Sequence, residues 1–389
     1  MLMAEPKQEN KKIIWIFAAA SFLNDMGSDI IYPVWPLFVT TVINANMAVL
    51  GFLDGLGEAL VSISQAAAGY FSDKYKKRKI FIWIGYFMGS LSRIGYSLST
   101  VWLHLIPFRI LDRGGKIRSA PRDAMVADVS TDRNRGRHFG ILRSMDHMGA
   151  VCGILICIVL IERIGLRVLF ALAALPSLAS VILILLFIKE KRPDSSRIFK
   201  GFTFRDMNRP LSLFFLLSTL YGLGAFSYSF LLIYARRSGY RLTFIPVLFL
   251  IFTAAASLFS FLFGHLSDKI GRKSVIGISF LGWMMLCILI ITVRGKWILY
   301  AVFFLYGLHR GALEPVQRAY VCELAPQRVR ASCLGGYQMV MGLTAFPASF
   351  MAGILWDQIH IFAPFFLSLV LTGLAGILLI FVQPGRPNT

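Results

Sequence analysis

The sequence predicts an all-α membrane protein made of two similar six-helix bundles. Its composition, the number of its apolar runs and an internal repeat predict this fold class. Of its 389 residues, 57% are hydrophobic and 15% are charged, whereas soluble globular domains average about 45–50% apolar and about 25% charged residues. This composition excludes a soluble enzyme, a disordered chain and a secreted disulfide scaffold.

Twelve apolar runs follow one another along the chain. They lie at roughly 13–40, 47–71, 80–99, 101–128, 138–161, 166–188, 211–235, 243–265, 274–293, 297–322, 332–355 and 361–382. A membrane helix needs about 20 residues, so twelve such helices leave room only for short connections. The first run follows two lysines and resembles a signal peptide, but it continues to Thr40 and contains two aspartates. We therefore predict that it is the first transmembrane helix.

A polar and basic segment, bounded by proline, occupies residues 189–210. It predicts a cytoplasmic linker between an N-terminal bundle, residues 1–188, and a C-terminal bundle, residues 211–389. With the N-terminus placed inside, the cytoplasmic segments hold 24 Lys and Arg and the outer loops hold six. This bias predicts that both termini are cytoplasmic, in a multi-pass protein of the inner membrane. It also explains the net charge of +20 without a nucleic-acid partner.

An internal repeat relates the two halves at an offset of 195 residues. This offset places Gly69 on Gly264, Asp73 on Asp268 and Asp128 on Glu323. Two separate loops agree on the offset, which is half of the chain length. Two similar halves, related by an axis along the membrane normal, are typical of transporters.

The loops that carry the repeat resemble a motif of the major facilitator superfamily, whose pattern is G-x-x-x-D-R-x-G-R-R/K. Helix 4, with Arg109 followed by Gly114, is similar to a second motif of the family. The resemblance covers essentially the whole chain and implies a secondary transporter that works by alternating access. In the family such loops latch the two halves on the cytoplasmic side, so the resemblance implies gating roles for Gly69, Asp73, Arg78, Gly264, Asp268 and Arg272.

Two departures from the family patterns bear on the function. Lys76 and Lys77 stand where the first loop motif has glycine and arginine. Helix 5 has Gly149 and Gly153 but lacks the Gly-Pro of proton-driven drug exporters, which weakens an assignment to multidrug export.

Ionisable residues inside the predicted spans are the strongest indication of a functional site, because each costs about 2.5–3.5 kcal/mol at membrane depth on insertion scales. Most lie in the N-terminal half. At about 100° per residue, Arg109, Asp112, Arg113 and Lys116 share one face of helix 4. A helix with this stripe cannot face lipid, so the stripe must face a cavity or acidic partners on other helices.

The sequence is compatible with two interpretations of these charges. In the first, Arg109, Arg113 and Lys116 bind an anionic substrate, and acidic residues of helices 1 and 2 take a coupling proton. In the second, the charges form fixed ion pairs that hold helices together. The first interpretation adds further ligands and proton acceptors, which are Arg310, Tyr221, Tyr228, Tyr337 and Gln338 for the substrate and Asp25, Asp29, Asp54 and Glu58 for the proton.

The sequence contains no catalytic motif, no nucleotide-binding loop and no cluster of metal ligands, so we expect neither an enzyme nor a cofactor. We predict a monomeric, proton-coupled transporter of a small organic solute, anionic or carboxylate-bearing, such as a metabolite or a metallophore. One alternative is an exporter of drug-like or cationic compounds that uses the membrane acids. An alternative of another class is a non-transporting receptor or lipid-handling protein on the same fold.

Overall fold

The computed structural model describes residues 8–75, 77–131, 134–190, 208–293, 295, 297–326 and 330–382. Across these residues the chain is helical and contains no β-strand. The helices are α1 (Gln8–Ile31), α2 (Met47–Tyr75), α3 (Lys79–Leu98), α4 (Trp102–Gly114, continued by Ser119–Asp128), α5 and α6 (the two parts of Arg135–Phe187), α7 (Arg209–Gly224, continued by Ser229–Arg237), α8 (Ile245–Ile270), α9 (Arg272–Thr292), α10 (Ile298–Leu324), α11 (Arg330–Gln358) and α12 (Ala363–Phe381). The predicted all-α fold with twelve helical spans is therefore confirmed.

Several helices are interrupted at points that the sequence explains. A 3-10 turn, Gly115–Arg118, divides α4 and begins at the second glycine of the pair Gly114-Gly115. The long helical run Arg135–Phe187 is split at Gly165, whose φ of 72° and ψ of 168° lie outside the helical region. Only glycine adopts such a backbone conformation without steric cost. This residue therefore marks the turn between α5 and α6.

The chain divides into two compact units. The first unit comprises residues 1–44 and 60–199, and the second comprises residues 45–59 and 200–389. The segment 45–59, which is the first half of α2, is thus assigned to the unit that holds the C-terminal helices. Most of the linker predicted at residues 189–210 lies outside the described residues.

Each unit has its own apolar core. In the first unit, the fully buried Phe17, Tyr86 and Val126 belong to one cluster that joins α1, α3 and α4. In the second unit the core is aromatic, with Trp283 packed between Tyr306 at 5.6 Å and Phe226 at 5.7 Å, measured between ring centroids.

Glycines bring neighbouring helices into backbone contact. Gly149 and Gly153 lie on one face of α5, against the backbone of α1. A Cβ at Gly149 would lie 2.3 Å from the carbonyl oxygen of Phe22, and one at Gly153 would lie 2.2 Å from that of Met26. Small residues spaced in this way permit close helix packing in membranes, where dispersion contacts replace the hydrophobic effect.

Seven helical stretches of the described chain are long and apolar enough to cross a membrane by length and composition alone. One of them, Gly136–Phe187, has 52 residues and includes both α5 and α6. Helix α4, which is rich in charged residues, is not among the seven.

We expect Gly153→Val to destabilise the first unit, because the new side chain must push α1 away from α5. Overpacking of this kind costs about 1–3 kcal/mol, so the apparent melting temperature of the purified protein in detergent should fall. Gly140→Val is the matched control, since it lies on the same helix with nothing within 4 Å of an added Cβ. Equal melting temperatures for the two variants would contradict this packing.

Candidate functional site

Two arginines of α4 share one carboxylate. Asp112 Oδ2 lies 3.9 Å from Arg109 Nη1 and 3.5 Å from Arg113 Nε. Each guanidinium also lies over an aromatic ring of the chain that follows α1, Arg109 at 4.5 Å from the centroid of Trp35 and Arg113 at 5.0 Å from that of Tyr32. Both arginine residues are buried, with exposures of 2% and 8%. The group carries a net positive charge, held by one carboxylate and two aromatic faces.

Two other buried arginines of the first unit are held by backbone carbonyls. Arg93 donates to the carbonyl oxygens of Ala173 at 3.0 Å and Asn24 at 3.2 Å, and to the hydroxyl of Ser28 at 2.8 Å. Arg118 donates to the carbonyl oxygen of Gly115 at 2.8 Å. Carbonyl oxygens disperse the charge without an ion pair. Arg93 thereby connects α3 to α1 and α6, whereas the hydrogen bond of Arg118 stays within the turn that divides α4.

A small lattice of ion pairs joins the end of α4 to α5. Arg122 lies 2.9 Å from Asp123 and 4.0 Å from Asp146, and Arg143 pairs with the same two carboxylates at 3.5 Å and 3.2 Å. The interpretation of fixed ion pairs therefore applies to these four residues.

Three charged residues of α1 and α4 have few partners or none. Across the described chain, the Lys116 ammonium and the Asp29 carboxylate form neither a hydrogen bond nor an ion pair. Asp25 accepts one hydrogen bond, from its neighbour Asn24 at 2.9 Å. All three are partly exposed, unlike the arginines around them. Their partial exposure and lack of ion pairs make these three residues candidates for contact with a ligand.

In the second unit, Arg310 forms an ion pair with Glu314 along one face of α10. Tyr221 is buried and its hydroxyl lies 2.7 Å from Nε2 of His309, whose Nδ1 lies 2.9 Å from the carbonyl oxygen of Ser279. His309 is not among the site residues that the sequence predicts. No simple pattern marks it, because its two partners lie on α7 and α9.

The other predicted ligands of the second unit, which are Tyr228, Tyr337 and Gln338, differ from one another in burial. Tyr228 is partly exposed and packs on Phe249 with ring centroids 5.2 Å apart. Tyr337 is buried and stacks on Phe214 at 5.8 Å, while Gln338 is exposed. Tyr337 is thus a packing residue in this structure.

The acidic residues of α2 lie in the second unit. Asp54 is buried and accepts hydrogen bonds from the hydroxyls of Ser227, at 2.7 Å, and Ser229. Ser227 lies in the interruption of α7 and Ser229 begins its second part, so the carboxylate lies at the start of this second part, where the helix dipole favours a negative charge. Glu58, one turn later, is exposed.

The two repeated loops show similar ion pairs. Arg78 forms an ion pair with Asp128, and Arg272 lies 2.9 Å from Glu323 and 3.8 Å from Asp268. Asp128 and Glu323 are the residues that the offset of 195 relates. An added Cβ at Gly69 would lie 3.7 Å from Ala120, whereas Gly264 has nothing within 4 Å. The side chain of Asp73 lies outside the described part of the structure.

Comparison with known proteins identifies the family. The sequence matches the profile of the Major Facilitator Superfamily over residues 17–243 and 214–389. The chain belongs to this superfamily. It is therefore a multi-pass membrane transporter and not an enzyme, and within its described residues no group of three or more His, Cys, Asp or Glu could hold a metal ion.

Individual relatives agree with the family but not on a substrate. An uncharacterised MFS-type transporter of Methanocaldococcus jannaschii is 34% identical, over 97% of this chain and 96% of its own length. The quinolone resistance protein NorA of Staphylococcus aureus is 22% identical, over 96% of both chains. Among solved structures, the nucleoside transporter NupG has a TM-score of 0.77 at 15% identity, covering 95% of this chain and 98% of its own.

We expect Asp112→Asn to destabilise the protein, because it leaves two buried guanidinium groups without their shared carboxylate. Breaking a buried ion pair by removal of one partner costs about 3–5 kcal/mol, which a thermal unfolding assay resolves. Adding Arg113→Gln to this variant should recover part of the loss, and the exposed Glu162→Gln should match the wild type. If Asp112→Asn alone also matched the wild type, the shared ion pair would carry no stability.

Proposed function

We propose that this protein is a secondary transporter of a small organic solute that carries a carboxylate, and that it works by alternating access with proton coupling. The observation that supports the solute class is Lys116, a partly exposed cation of α4 without a partner among the described residues. It lies beside the positive group formed by Arg109, Asp112 and Arg113. A solute carboxylate would replace the missing partner of the ammonium group.

In this proposal the arginines of α4 act behind the site. Arg109 and Arg113 are buried against aromatic rings, so their positive charge attracts an anion while Lys116 contacts it. Arg310 is partly exposed beside Glu314 and is the candidate second cation. The aromatic residues Tyr221 and Tyr228 and the amide of Gln338 are the remaining candidate ligands.

Asp29 and Asp25 are the better candidates for the coupling proton. Neither has a cationic partner within ion-pair distance among the described residues, so a proton can bind without first breaking an ion pair. Asp54 already accepts hydrogen bonds from the hydroxyls of Ser227 and Ser229. Its role in this proposal is to tie the first half of α2 to α7.

The proposed transporter also has a defined membrane topology and gating loops. The lysine and arginine bias of the loops supports cytoplasmic termini, with bundles at 1–188 and 211–389 joined by a linker at 189–210. The ion pairs of Arg78 and Arg272 at the two repeated loops support a gating role there. We further propose a monomer in the inner membrane.

A second candidate function is the export of cationic, drug-like compounds. The similarity to NorA and the lack of cationic partners for Asp25 and Asp29 favour it. In that case the two carboxylates would hold the substrate, and the arginines would have only structural roles. The two candidates differ in whether transport depends on Lys116.

In proteoliposomes, we expect Lys116→Gln to reduce counterflow of organic carboxylates at least about tenfold, since a charge-assisted hydrogen bond contributes roughly 1.5–3 kcal/mol. Lys12→Gln, an exposed lysine at the start of α1, is the control. Transport of lipophilic cations that is unaffected by Lys116→Gln, together with no carboxylate transport, would favour the exporter instead.

We expect Asp29→Asn to abolish uptake driven by a pH gradient while solute exchange in counterflow continues, because exchange needs no net proton movement. Glu162→Gln should retain both activities. Normal pH-driven uptake by Asp29→Asn would exclude this residue as the proton carrier.

A further inference from the structure

The charged residues of the first unit differ in how completely their charges are satisfied. Each arginine discussed above has carboxylate or carbonyl partners within hydrogen-bond or ion-pair distance. Lys116 and Asp29 have neither among the described residues, and both are partly exposed. A charge at membrane depth costs about 2.5–3.5 kcal/mol on insertion scales, so two opposite charges left without partners require an explanation.

The two residues lie at a similar depth. Asp29 belongs to the apolar run at 13–40 and Lys116 to the run at 101–128, and each lies within three residues of the midpoint of its run. In transporters, substrate sites lie near the bilayer midplane, at discontinuous helices. Lys116 is part of the 3-10 turn that interrupts α4, and α1 ends two residues after Asp29.

Contacts between α1 and α4 fix the register of the two charges. Arg113 lies over the ring of Tyr32, directly after α1, with its guanidinium 5.0 Å from the ring centroid, and Arg122 donates to the hydroxyl of Ser21 at 2.6 Å. The two helices therefore run side by side in opposite directions, in a register that places Lys116 beside Asp29. The ammonium and the carboxylate are nevertheless farther apart than the 4 Å limit of an ion pair.

We propose that Lys116 and Asp29 together bind a zwitterionic, amino-acid-like solute, whose carboxylate pairs with Lys116 and whose ammonium group pairs with Asp29. This inference rests on the proposed function and narrows its substrate class. A solute with both charges satisfies both unpartnered groups at once, whereas a simple anion leaves Asp29 without a partner and a simple cation leaves Lys116 without one. While Asp29 holds the ammonium group of the solute, Asp25, one helical turn before it, is the carboxylate left to take the coupling proton.

The test uses matched compounds on the purified full-length protein at pH 7. The panel contains the common L-amino acids, and for each one the acid without the amino group and the amine without the carboxylate. Affinities are measured by calorimetry. We expect at least one amino acid to bind at least about tenfold more tightly than both of its matched compounds, because it forms two charge-assisted contacts instead of one.

Two variants test which residue pairs with the carboxylate of the solute and which pairs with its ammonium group. In Lys116→Gln the preferred amino acid should bind no better than its matched amine, and in Asp29→Asn no better than its matched acid. Lys12→Gln and Glu162→Gln are the controls for loss of one lysine or one acidic residue. Both site variants should melt at or above the wild-type temperature, since each removes an unpartnered charge. If Lys116 or Asp29 belonged to a structural ion pair, its replacement would lower the melting temperature instead.

The outcomes separate this inference from the proposed function. If the matched acids bind as tightly as the amino acids and Lys116→Gln weakens both, the zwitterion inference is wrong and carboxylate transport stands. If the amines bind most tightly and Lys116→Gln has no effect, both are wrong. If no amino acid in the panel binds, the zwitterion inference is overturned.

Discussion

The first unit is organised around the cost of placing charged groups inside a membrane. Arginine reduces this cost because its guanidinium group donates five hydrogen bonds in fixed directions. Arg93 uses this geometry to reach backbone oxygens of two other helices and the hydroxyl of Ser28. The buried charge then acts as a cross-link between α1, α3 and α6, and the positions of these helices depend on it.

The cross-links require helices that approach closely, and glycine permits this approach. A Cβ at Gly27 would lie 2.2 Å from Arg93 Nη1 and 2.5 Å from the carbonyl oxygen of Ala173. A Cβ at Gly85 would lie 2.5 Å from the carbonyl oxygen of Gly115, at the interruption of α4. The close contacts that satisfy the arginines also fix the segment that carries Lys116. The pairing of charges and the packing of helices therefore depend on the same contacts.

These contacts distinguish charged residues with a structural role from those that can bind a ligand. The sequence of α4 favours Arg109 and Arg113 as ligands of an anionic substrate. In the structure, however, both are buried against Trp35 and Tyr32. Lys116 shares their face of the helix but remains partly exposed and unpartnered within the described chain. Lysine, with a single strongly hydrated ammonium group, suits a site that must bind and release a ligand.

The sequence by itself determined the fold class, the number of spans and the family, because these depend on properties that are local or periodic. Apolar runs of membrane length and a repeat at 195 residues require no knowledge of which helices touch. The sequence also placed the stripe of charged residues on α4, since helical periodicity is local as well.

Only the tertiary structure decided which charges have partners. The partners of Arg93 are backbone atoms and a serine at distant positions, and Asp54 meets hydroxyls of α7 more than 170 residues away. No spacing along one helix encodes these contacts. His309 was missed for the same reason, because its role depends on Tyr221 and Ser279 of two other helices. The energy of a buried charge depends on all the atoms around it, and those are assembled only when the helices pack.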